Sequence, residues 1–307
     1  MAADLLCMGE PMLELNQLPV GADGRRIYLE GHGGDTSNAA IAAARQGAGV
    51  GYITALGMDP AGDSFIALWD REGVDHATVK RSATHPTAAY VVTHGPQGHG
   101  FLYYRTNSAA AVYGPGDLPE AAIAAARMIY FSGISQGISA SAADAVFAAI
   151  DLARAHGVKV AYDTNYRASL WPARRAAAVI HAAIALADYV LPGLDDARAL
   201  LGLTDPDAVL DFYLRLGPKV VVLKMGDTGA YLGTPERRVR IPCHRVTTVD
   251  ATGAGDTFCG SFLARILAGD DPHDAARYAG VAAALKCTGY GAVAPIPRAE
   301  AVLAVLG

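Results

Sequence analysis

A glycine-rich turn late in the chain is the segment best suited to chemistry. It reads Val249-Asp250-Ala251-Thr252-Gly253-Ala254-Gly255-Asp256-Thr257-Phe258, and an apolar helical run follows it. Because small residues keep side chains away, we expect the N–H groups of Gly253, Ala254 and Gly255 to point at one oxygen-rich ligand. The positive end of the helix dipole adds to this, so the turn suits a transferring phosphoryl group.

Asp256 lies in the first turn of that predicted helix. Its carboxylate would face the same ligand and could accept a proton from an attacking hydroxyl. The alternative is a plain helix start, since an acidic residue in the first turn favours any helix.

A second glycine turn precedes an alanine-rich helix near the start of the chain. It reads Gly31-His32-Gly33-Gly34-Asp35-Thr36-Ser37-Asn38-Ala39-Ala40. Gly33 and Gly34 allow a polyhydroxy ligand to approach the backbone, and Asn38 offers both a donor and an acceptor to hydroxyl groups. The alternative is structural, with Asp35 or Thr36 as the N-cap of the helix.

Together the two turns resemble the paired signatures of the ribokinase (PfkB) family of sugar kinases. The matching residues are Gly33-Gly34-x-x-x-Asn38-x-Ala40 and Asp250-x-Thr252-Gly253-Ala254-Gly255-Asp256. The resemblance spans essentially the whole chain. It implies ATP-dependent phosphorylation of a sugar hydroxyl, with Asp256 as general base and the amides of Gly253 to Gly255 as anion hole.

A third segment, Lys224-Met225-Gly226-Asp227-x-Gly229-Ala230, is similar to the family segment that lies along the phosphates and ribose of ATP. Read alone, it is equally an ordinary glycine hairpin. The residues to which the resemblance assigns nucleotide contacts are Asn165, Arg167, Lys224, Gly226, Gly229, Gly253 and Gly255.

Four further segments resemble the 2-keto-3-deoxygluconate kinase branch of that family. They are Gly9 to Leu15, Phe101 to Ala110, Phe131 to Ser135, and Asp163-Thr164-Asn165-Tyr166-Arg167-x-x-x-Trp171. The branch implies a 2-keto-3-deoxy sugar acid as substrate, phosphorylated at the C6 hydroxyl. The expected substrate contacts are Gly33, Gly34, Asn38, Tyr90, Tyr104, Arg105, Arg167 and Asp250.

Two arginines fit a sugar acid chemically. The guanidinium of Arg105 or Arg167 can pair with a carboxylate through two charge-assisted hydrogen bonds, which a neutral hexose cannot exploit. Each has an alternative: Arg105 as a solvated charge, and Arg167 as a contact to the phosphates of ATP. Tyr90 and Tyr104 could donate hydroxyl hydrogen bonds, although tyrosines on a small sheet often only pack.

The sequence departs from the family pattern at the segment linked to magnesium and phosphate. Many family members carry Asn-x-x-Glu near the middle, where this sequence reads Gly193-Leu194-Asp195-Asp196. Asp196 could hold a hydrated Mg²⁺ through its carboxylate, but Gly193 has no amide side chain to offer. We therefore assign no metal ligand.

The elements that must position these residues alternate between strand and helix. The predicted strands are Leu5 to Met8, Val50 to Ala55, Met128 to Ser132, Lys159 to Asp163, Tyr189 to Leu191 and Val220 to Lys224. The predicted helices are Thr36 to Gln46, Gly62 to Glu72, Ser139 to His156 and Pro206 to Leu216. This alternation predicts an α/β fold with a doubly wound, mostly parallel sheet, whose ligand lies at the carboxyl ends of the strands.

Two segments, residues 12–30 and 87–105, break the alternation. The second reads as strands Ala88 to Thr93 and Phe101 to Arg105 around a Gly-Pro-Gln-Gly turn at Gly95 to Gly98. We expect a small antiparallel sheet apart from the main one. It would serve as a lid or as the interface of a homo-oligomer, or it is only an edge hairpin. Residues 1–307 then form a single ribokinase-like domain.

Composition narrows the class of protein further. The chain has 307 residues, 52% of them hydrophobic, and a net charge of −5 from 25 basic and 30 acidic residues. That balance gives no cationic field for nucleic acid or an anionic membrane, so small molecules are the expected partners. The four cysteines form no C-x-x-C pair, and the N-terminal residues lack the cations of a signal peptide. We expect a cytoplasmic protein with reduced thiols.

Two other functions remain as alternatives. A Rossmann oxidoreductase needs G-x-G-x-x-G between the first strand and the first helix. Here Gly9-Glu10-Pro11 follows the first strand, and the early Gly47-Ala48-Gly49 follows a helix and enters a strand. A non-catalytic sugar-binding protein would be expected to have lost the base, whereas Asp256 is present.

Overall fold

A computed structural model describes residues 3–21, 23–95 and 98–307 of the chain. In chain order the strands are β1 (Leu5–Met8), β2 (Met12–Gln17), β3 (Tyr28–Gly33), β4 (Val50–Ile53), β5 (Ala55–Gly57), β6 (Val74–Asp75), β7 (Lys80–Ser82), β8 (Ala88–Gly95), β9 (Gly98–Tyr104), β10 (Met128–Ser132), β11 (Lys159–Asp163), β12 (Tyr189–Val190), β13 (Val220–Lys224), β14 (Ala230–Gly233) and β15 (Arg238–Ile241). The helices are α1 (Asp35–Arg45), α2 (Pro60–Glu72), α3 (Glu120–Ala125), α4 (Gly133–Gly137), α5 (Ala140–Ala155), α6 (Ala173–Ile184), α7 (Leu194–Leu201), α8 (Pro206–Leu216), α9 (Ala254–Ala268), α10 (Pro272–Lys286) and α11 (Ala299–Leu306).

The main sheet has the strand order β15-β14-β13-β12-β11-β10-β1-β4-β6. Its strands pair in parallel from β6 to β13, and β14 and β15 add an antiparallel edge. Central strands such as β1 are buried along their whole length because helices cover both faces of the sheet, which gives two separate apolar clusters. The predicted doubly wound, mostly parallel architecture is confirmed.

In the main sheet two predicted strand ends differ from the structure, and in the hairpin the predicted Ala88 to Thr93 and Phe101 to Arg105 become Ala88–Gly95 and Gly98–Tyr104. β4 stops at Ile53 instead of Ala55, because Ala55–Gly57 leaves the main sheet and pairs in parallel with Lys80–Ser82. β12 stops at Val190 rather than Leu191. Neither change moves a residue of the glycine turns.

A four-stranded sheet in the order β3-β2-β8-β9 forms the lid. The predicted hairpin is present, since β8 and β9 pair antiparallel from Ala89 with Tyr104 to Gly95 with Gly98. Pro96 and Gln97 of the predicted turn lie outside the described residues. The first lid segment runs further than predicted, to Gly33, and its strand β2 joins the hairpin by parallel pairing with β8.

Helices α1 and α9 pack closely against each other, and both belong to the same apolar cluster on one face of the main sheet. A Cβ atom on Gly260 of α9 would lie 2.1 Å from the carbonyl oxygen of Ala39 on α1, so only glycine permits this approach. One turn before Gly260 stands Asp256, and one residue before Ala39 stands Asn38. The close crossing therefore brings the two glycine turns of the sequence together.

No helix in the described part of the chain is both long enough and apolar enough to cross a membrane.

Candidate active site

Asp256 lies in the first turn of α9, as predicted, and contacts the other glycine turn directly. The Nδ2 atom of Asn38 donates a hydrogen bond of 2.8 Å to Oδ2 of Asp256. Burial and the nearby charge of Asp35 raise the pKa of Asp256 to about 7, against the opposing effect of that hydrogen bond. A carboxyl group with such a pKa is suited to accept a proton near neutral pH. The Oδ1 atom of Asn38 is buried and has no partner among the described residues, so it can accept from a ligand hydroxyl.

The N-terminus of α9 is open to a ligand. Gly253 is its N-cap with a φ of 77°, and no side chain caps the helix. A Cβ on Gly255 would lie 3.6 Å from Nζ of Lys224, so the ammonium group of that lysine faces the turn. The prediction for Ala254 needs correction: its N–H donates to the carbonyl of Ala251 at 3.1 Å, because the chain closes a turn there as the helix begins. The helix dipole, the turn glycines and the lysine together are chemically suited to bind an anion.

In the glycine turn near the start of the chain, the space beside Gly33 and Gly34 is occupied by other residues of the protein. A Cβ on Gly33 would lie 2.4 Å from the hydroxyl of Tyr90, and one on Gly34 would lie 2.5 Å from the carbonyl oxygen of Glu10. Gly34 has a φ of 105° and is the N-cap of α1, which no side chain caps. Neither Asp35 nor Thr36 is therefore the N-cap, and the turn is tightly packed against the lid and the end of β1.

Asp35 is a site residue that the sequence analysis considered only as a cap. It is 7% exposed, and its Oδ2 accepts a hydrogen bond of 2.8 Å from Nδ2 of Asn165. Its Oδ1 is buried with no partner among the described residues. Burial, assisted by the charge of Asp163, raises the pKa of Asp35. Its place directly after the glycine pair was the available signal, because the residue that follows a tight turn into a helix lies at the same sheet edge as the ligand.

Lys224 forms a buried ion pair at the end of β13. Its Nζ lies 2.6 Å from Oδ2 of Asp163, which ends β11, and 3.4 Å from Sγ of Cys259 on α9. Burial alone would lower the pKa of Lys224, but the charge of Asp163 outweighs it and raises the pKa. The lysine therefore carries a fixed positive charge beside Gly255.

Arg105 pairs with a carboxylate of the protein rather than with solvent. Its Nη2 lies 2.6 Å from Oε2 of Glu10, and the arginine side chain is only 15% exposed. Ser108 donates to the other oxygen of Glu10 at 2.8 Å. Burial raises the pKa of Glu10, while the charge of Arg105 lowers it. A solvated lid charge thus does not describe Arg105, whose buried Nε–H group has no hydrogen-bond partner among the described residues.

The remaining predicted substrate contacts differ in how accessible they are. Arg167 is exposed, donates to the carbonyl of Tyr166 at 3.0 Å, and faces the acidic side chains of the site. Tyr104 is 60% exposed at the end of β9. Tyr90 is buried, and its hydroxyl donates to Oε2 of Glu14 within the lid. Its hydroxyl is therefore already used, and packing beneath Gly33 is its visible role.

Asp250 has structural contacts, and the two glycines of the segment from Lys224 to Ala230 differ in theirs. The carboxylate of Asp250 accepts hydrogen bonds of 2.9 Å from the N–H groups of Thr252 and Gly291, one on each oxygen. Gly229 has a φ of 99°, and a Cβ there would lie 2.1 Å from the carbonyl of Ile241. Gly226, with a φ of 60°, has open space around its Cβ position.

A metal ion fits this site only if the oxygens of a bound phosphate complete its coordination. No group of three His, Cys, Asp or Glu side chains within the described residues is arranged to hold one. Asp196 is the best single ligand, because its Oδ2 is held by Thr164 at 2.7 Å and it takes part in no ion pair among those residues. The N–H of Gly193 bonds to the hydroxyl of the same threonine at 3.2 Å. Gly193 thus supports Asp196 through its backbone. Such a site suits Mg²⁺, which uses few protein carboxylates alongside phosphate oxygens and water.

Comparison with known proteins gives one consistent result. A model of the pfkB family of carbohydrate kinases matches residues 3–299. A 2-dehydro-3-deoxygluconokinase of Thermoproteus tenax is 33% identical, over 98% of this chain and 94% of that protein. Fructokinase-1 of Oryza sativa subsp. japonica is 30% identical, over 91% of this chain and 89% of that protein. An Escherichia coli protein solved in complex with ATP and Mg²⁺ is 24% identical and shares the fold with a TM-score of 0.91, over 99% of both chains.

Proposed function

The chain belongs to the pfkB family of carbohydrate kinases, and from that premise we propose that it transfers the terminal phosphoryl group of ATP to a sugar acid. The substrate we propose is 2-keto-3-deoxygluconate, phosphorylated at its C6 hydroxyl to give the 6-phosphate. The observation that carries this proposal is the position of Asp256, which Asn38 holds at the open N-terminus of α9 with a pKa raised to about 7.

The proposed reaction is a direct in-line displacement, in which Asp256 takes the proton of the sugar hydroxyl as that oxygen attacks the γ-phosphorus of ATP and the bond from that phosphorus to the bridging oxygen breaks, releasing ADP. The N–H groups of Gly253 and Gly255 and the ammonium group of Lys224 stabilise the charge on the transferring oxygens. Bound Mg²⁺ would neutralise phosphate charge, with Asp196 as the side chain that holds it. We place Asn165, Arg167, Gly226 and Gly229 along the nucleotide.

The sugar acid is assigned from the arginines and from the similarity to the Thermoproteus tenax protein. Arg105 keeps a buried, unpartnered Nε–H group while Glu10 fixes its position, so the guanidinium is pre-oriented. Arg167 supplies a second, exposed cation at the same sheet edge. The polyhydroxy part of the substrate would lie against Gly33 and Gly34, with Asn38, Tyr104 and the loop of Asp250 around it, and with Tyr90 supporting Gly33.

A neutral ketose is the second candidate substrate, and one observation favours it. Glu10 already balances the charge of Arg105, which weakens the case for a substrate carboxylate at that position. The similarity to a protein named fructokinase-1 points the same way.

We further propose a cytoplasmic, single-domain enzyme that forms a homo-oligomer through the lid sheet, with no nucleic-acid or membrane partner. The lid exposes large apolar side chains that a partner subunit could cover. Those of β3 and β9 are Tyr28, Leu29, Phe101, Leu102, Tyr103 and Tyr104, each 38–60% exposed.

A substrate screen tests the proposal directly. The purified protein is assayed with ATP and Mg²⁺ over sugar acids and neutral ketoses, and ADP release is measured. We expect the highest kcat/KM for 2-keto-3-deoxygluconate. A preference for fructose or ribose would replace the sugar acid by a neutral sugar while leaving the kinase assignment intact.

Arg105 provides a sharper test of the carboxylate contact. Leucine at this position alone would leave Glu10 buried and unpaired, so we compare Glu10→Gln with the double variant Glu10→Gln/Arg105→Leu. Loss of one charge-assisted hydrogen bond of about 1.5–3 kcal/mol lowers kcat/KM for the acid roughly 10- to 150-fold. A neutral ketose should lose little. Equal losses for both sugars would contradict the contact. Arg167→Leu separates the two roles open to that arginine, because loss of an ATP contact would lower kcat/KM for both sugars alike and loss of a carboxylate contact only that for the acid.

A further inference from the structure

Lys286, the last residue of α10, is a buried cation that the proposed reaction leaves unused. Its side chain is 0% exposed. Within residues 3–21, 23–95 and 98–307, no carboxylate lies within ion-pair distance of it. Burial lowers the pKa of Lys286, while the negative charge of Asp250 acts in the opposite direction. Lysine is seldom fully buried without a paired charge, so its position requires a reason.

The ammonium group of Lys286 contacts the loop that leads into the anion site. Its Nζ donates a hydrogen bond of 2.8 Å to the carbonyl oxygen of Asp250. Asp250 stands three residues before Gly253, whose left-handed backbone starts α9. A charge-assisted bond to a backbone carbonyl is stronger than a neutral one, and a buried one is screened little by solvent.

The same loop is fixed to the segment after Lys286 at three more points. The N–H groups of Val249 and Asp250 both donate to the carbonyl of Cys287, at 2.8 and 3.2 Å. Gly291 donates to the carboxylate of Asp250. A Cβ on Gly253 would lie 3.1 Å from the carbonyl oxygen of Ala292. The loop therefore rests on residues 286–292, and Lys286 is the cation among these contacts.

We propose that Lys286 is a positioning residue for phosphoryl transfer, which holds the Asp250 carbonyl and thereby keeps the N–H groups of Gly253 and Gly255 aimed at the transferring group. The inference rests on the proposed anion site and adds the element that orients it. Asp256 lies in the first turn of the same helix, so the contact of Lys286 with the Asp250 carbonyl also orients its carboxylate.

The expected effect of losing this cation is on catalysis more than on binding. The amides of the turn are needed most where charge develops, so a small displacement lowers kcat while KM for ATP and sugar changes little. A misplacement of about 1 Å can lower the rate roughly 100-fold. A lysine with a purely structural role would instead lower stability and leave kcat of the folded enzyme near normal.

The test compares Lys286→Met with Lys286→Gln in the full-length enzyme, using the best sugar from the screen. Met retains the side chain as far as the Cε position but lacks the terminal donor, and Gln keeps a neutral donor. We expect kcat to fall roughly 100-fold in Lys286→Met and less in Lys286→Gln, with KM within a few-fold of the unmodified enzyme. Val302→Ala is the matched control, because it weakens the packing of α11 against α10 without touching the loop.

Chemical rescue separates positioning from structure. Lys286→Met is assayed in ammonium chloride and, at equal ionic strength, in tetramethylammonium chloride. Ammonium can occupy the space beside the Asp250 carbonyl and should restore part of kcat, whereas tetramethylammonium is too large. The unmodified enzyme should respond to neither salt, because Lys286 already fills the position. If Lys286→Met is insoluble, the kcat of Lys286→Gln tests the proposal instead: a reduced kcat supports it and a normal kcat contradicts it.

Three results would overturn the proposal: a normal kcat in the soluble Met or Gln variant, a loss of kcat that Val302→Ala reproduces, or a loss in Lys286→Met that ammonium leaves unchanged. Failure of the anion site itself looks different, because Gly255→Ala would then retain normal turnover whatever Lys286 does.

Discussion

The two glycine turns of the molecule begin their helices in the same way but use their glycines differently. Gly34 and Gly253 are both N-caps with positive φ, and neither helix has a side-chain cap. At the first turn, the space above the glycines is filled by Tyr90 and the Glu10 carbonyl. At the second, the nearest group to Gly255 is the ammonium of Lys224. A glycine motif therefore indicates that another group approaches the backbone closely. Only the neighbouring atoms in the structure show whether that group belongs to the protein or to a ligand.

The functional difference follows from this packing. The first turn couples the lid to the body of the protein and presents Asn38, while the second presents an open helix N-terminus and Asp256. The hydrogen bond between these two side chains joins a packed turn to an open one. Substitutions on either side of that bond should consequently fail in different ways.

The largest effect is expected from Asp256→Asn, which removes the base and keeps its shape. We expect kcat to fall roughly 10²- to 10⁴-fold while ATP still binds. The fold should not weaken. A carboxyl group whose pKa is raised in the folded state costs stability as pH rises from its unfolded value towards about 7 and beyond. Removing it should leave Tm at pH 8 equal or higher. Near-normal turnover would end the proposed role of Asp256.

A pair of alanine substitutions tests the contrast between the turns most directly. Gly34→Ala places a Cβ 2.5 Å from the Glu10 carbonyl at a φ of 105°. Backbone strain alone costs about 1–3 kcal/mol, so thermal unfolding should detect a large loss of stability.

Gly255→Ala should give the opposite result. Its Cβ would lie at an ordinary contact distance of 3.6 Å from Lys224, and alanine favours a helix by up to about 1 kcal/mol. We expect stability at or slightly above normal, but kcat reduced roughly 10- to 100-fold because the methyl group enters the anion site. Similar stability losses in both variants would remove the distinction between a packed and an open turn.

Sequence reasoning predicted those candidate residues whose surroundings are local, each within a single glycine turn. Asp256 and Asn38 follow from turn chemistry and helix starts, and the parallel sheet follows from alternating elements. It missed the partners that only the fold supplies: Glu10 for Arg105, Tyr90 beneath Gly33, and Lys286 behind Asp250. Each of these contacts joins residues more than 30 positions apart, and local propensity carries no information about such pairs. Ala254 was misjudged for a smaller reason, since a turn can use its own N–H groups.

A smaller effect, on pH dependence, tests the first turn's electrostatic influence on the second. Activity should fall as pH drops through about 7, because protonated Asp256 cannot accept a proton. The charge of Asp35 contributes to the raised pKa, so Asp35→Asn should shift the acidic limb of kcat/KM to lower pH. Asn keeps an oxygen for the hydrogen bond from Asn165. An unchanged limb, or a shift to higher pH, would show that Asp35 does not act on Asp256 through its charge.

The smallest expected effect concerns motion, and it asks whether the first turn belongs to a moving part of the molecule. Strand β9 is an edge of the lid sheet with several exposed aromatic side chains, and the lid reaches the site through Tyr90 at Gly33 and through Arg105 at Glu10. If a bound sugar acid draws Arg105 onto its carboxylate, the amides of β9 should exchange hydrogen more slowly than in the free enzyme. The amides of β1 and β10 in the central sheet provide the control and should not change. Slow exchange of β9 in both states would instead indicate that the lid is already held in place, as in a permanent oligomer interface. The substrate would then reach the N-terminus of α9 without any closure of the lid over the first glycine turn.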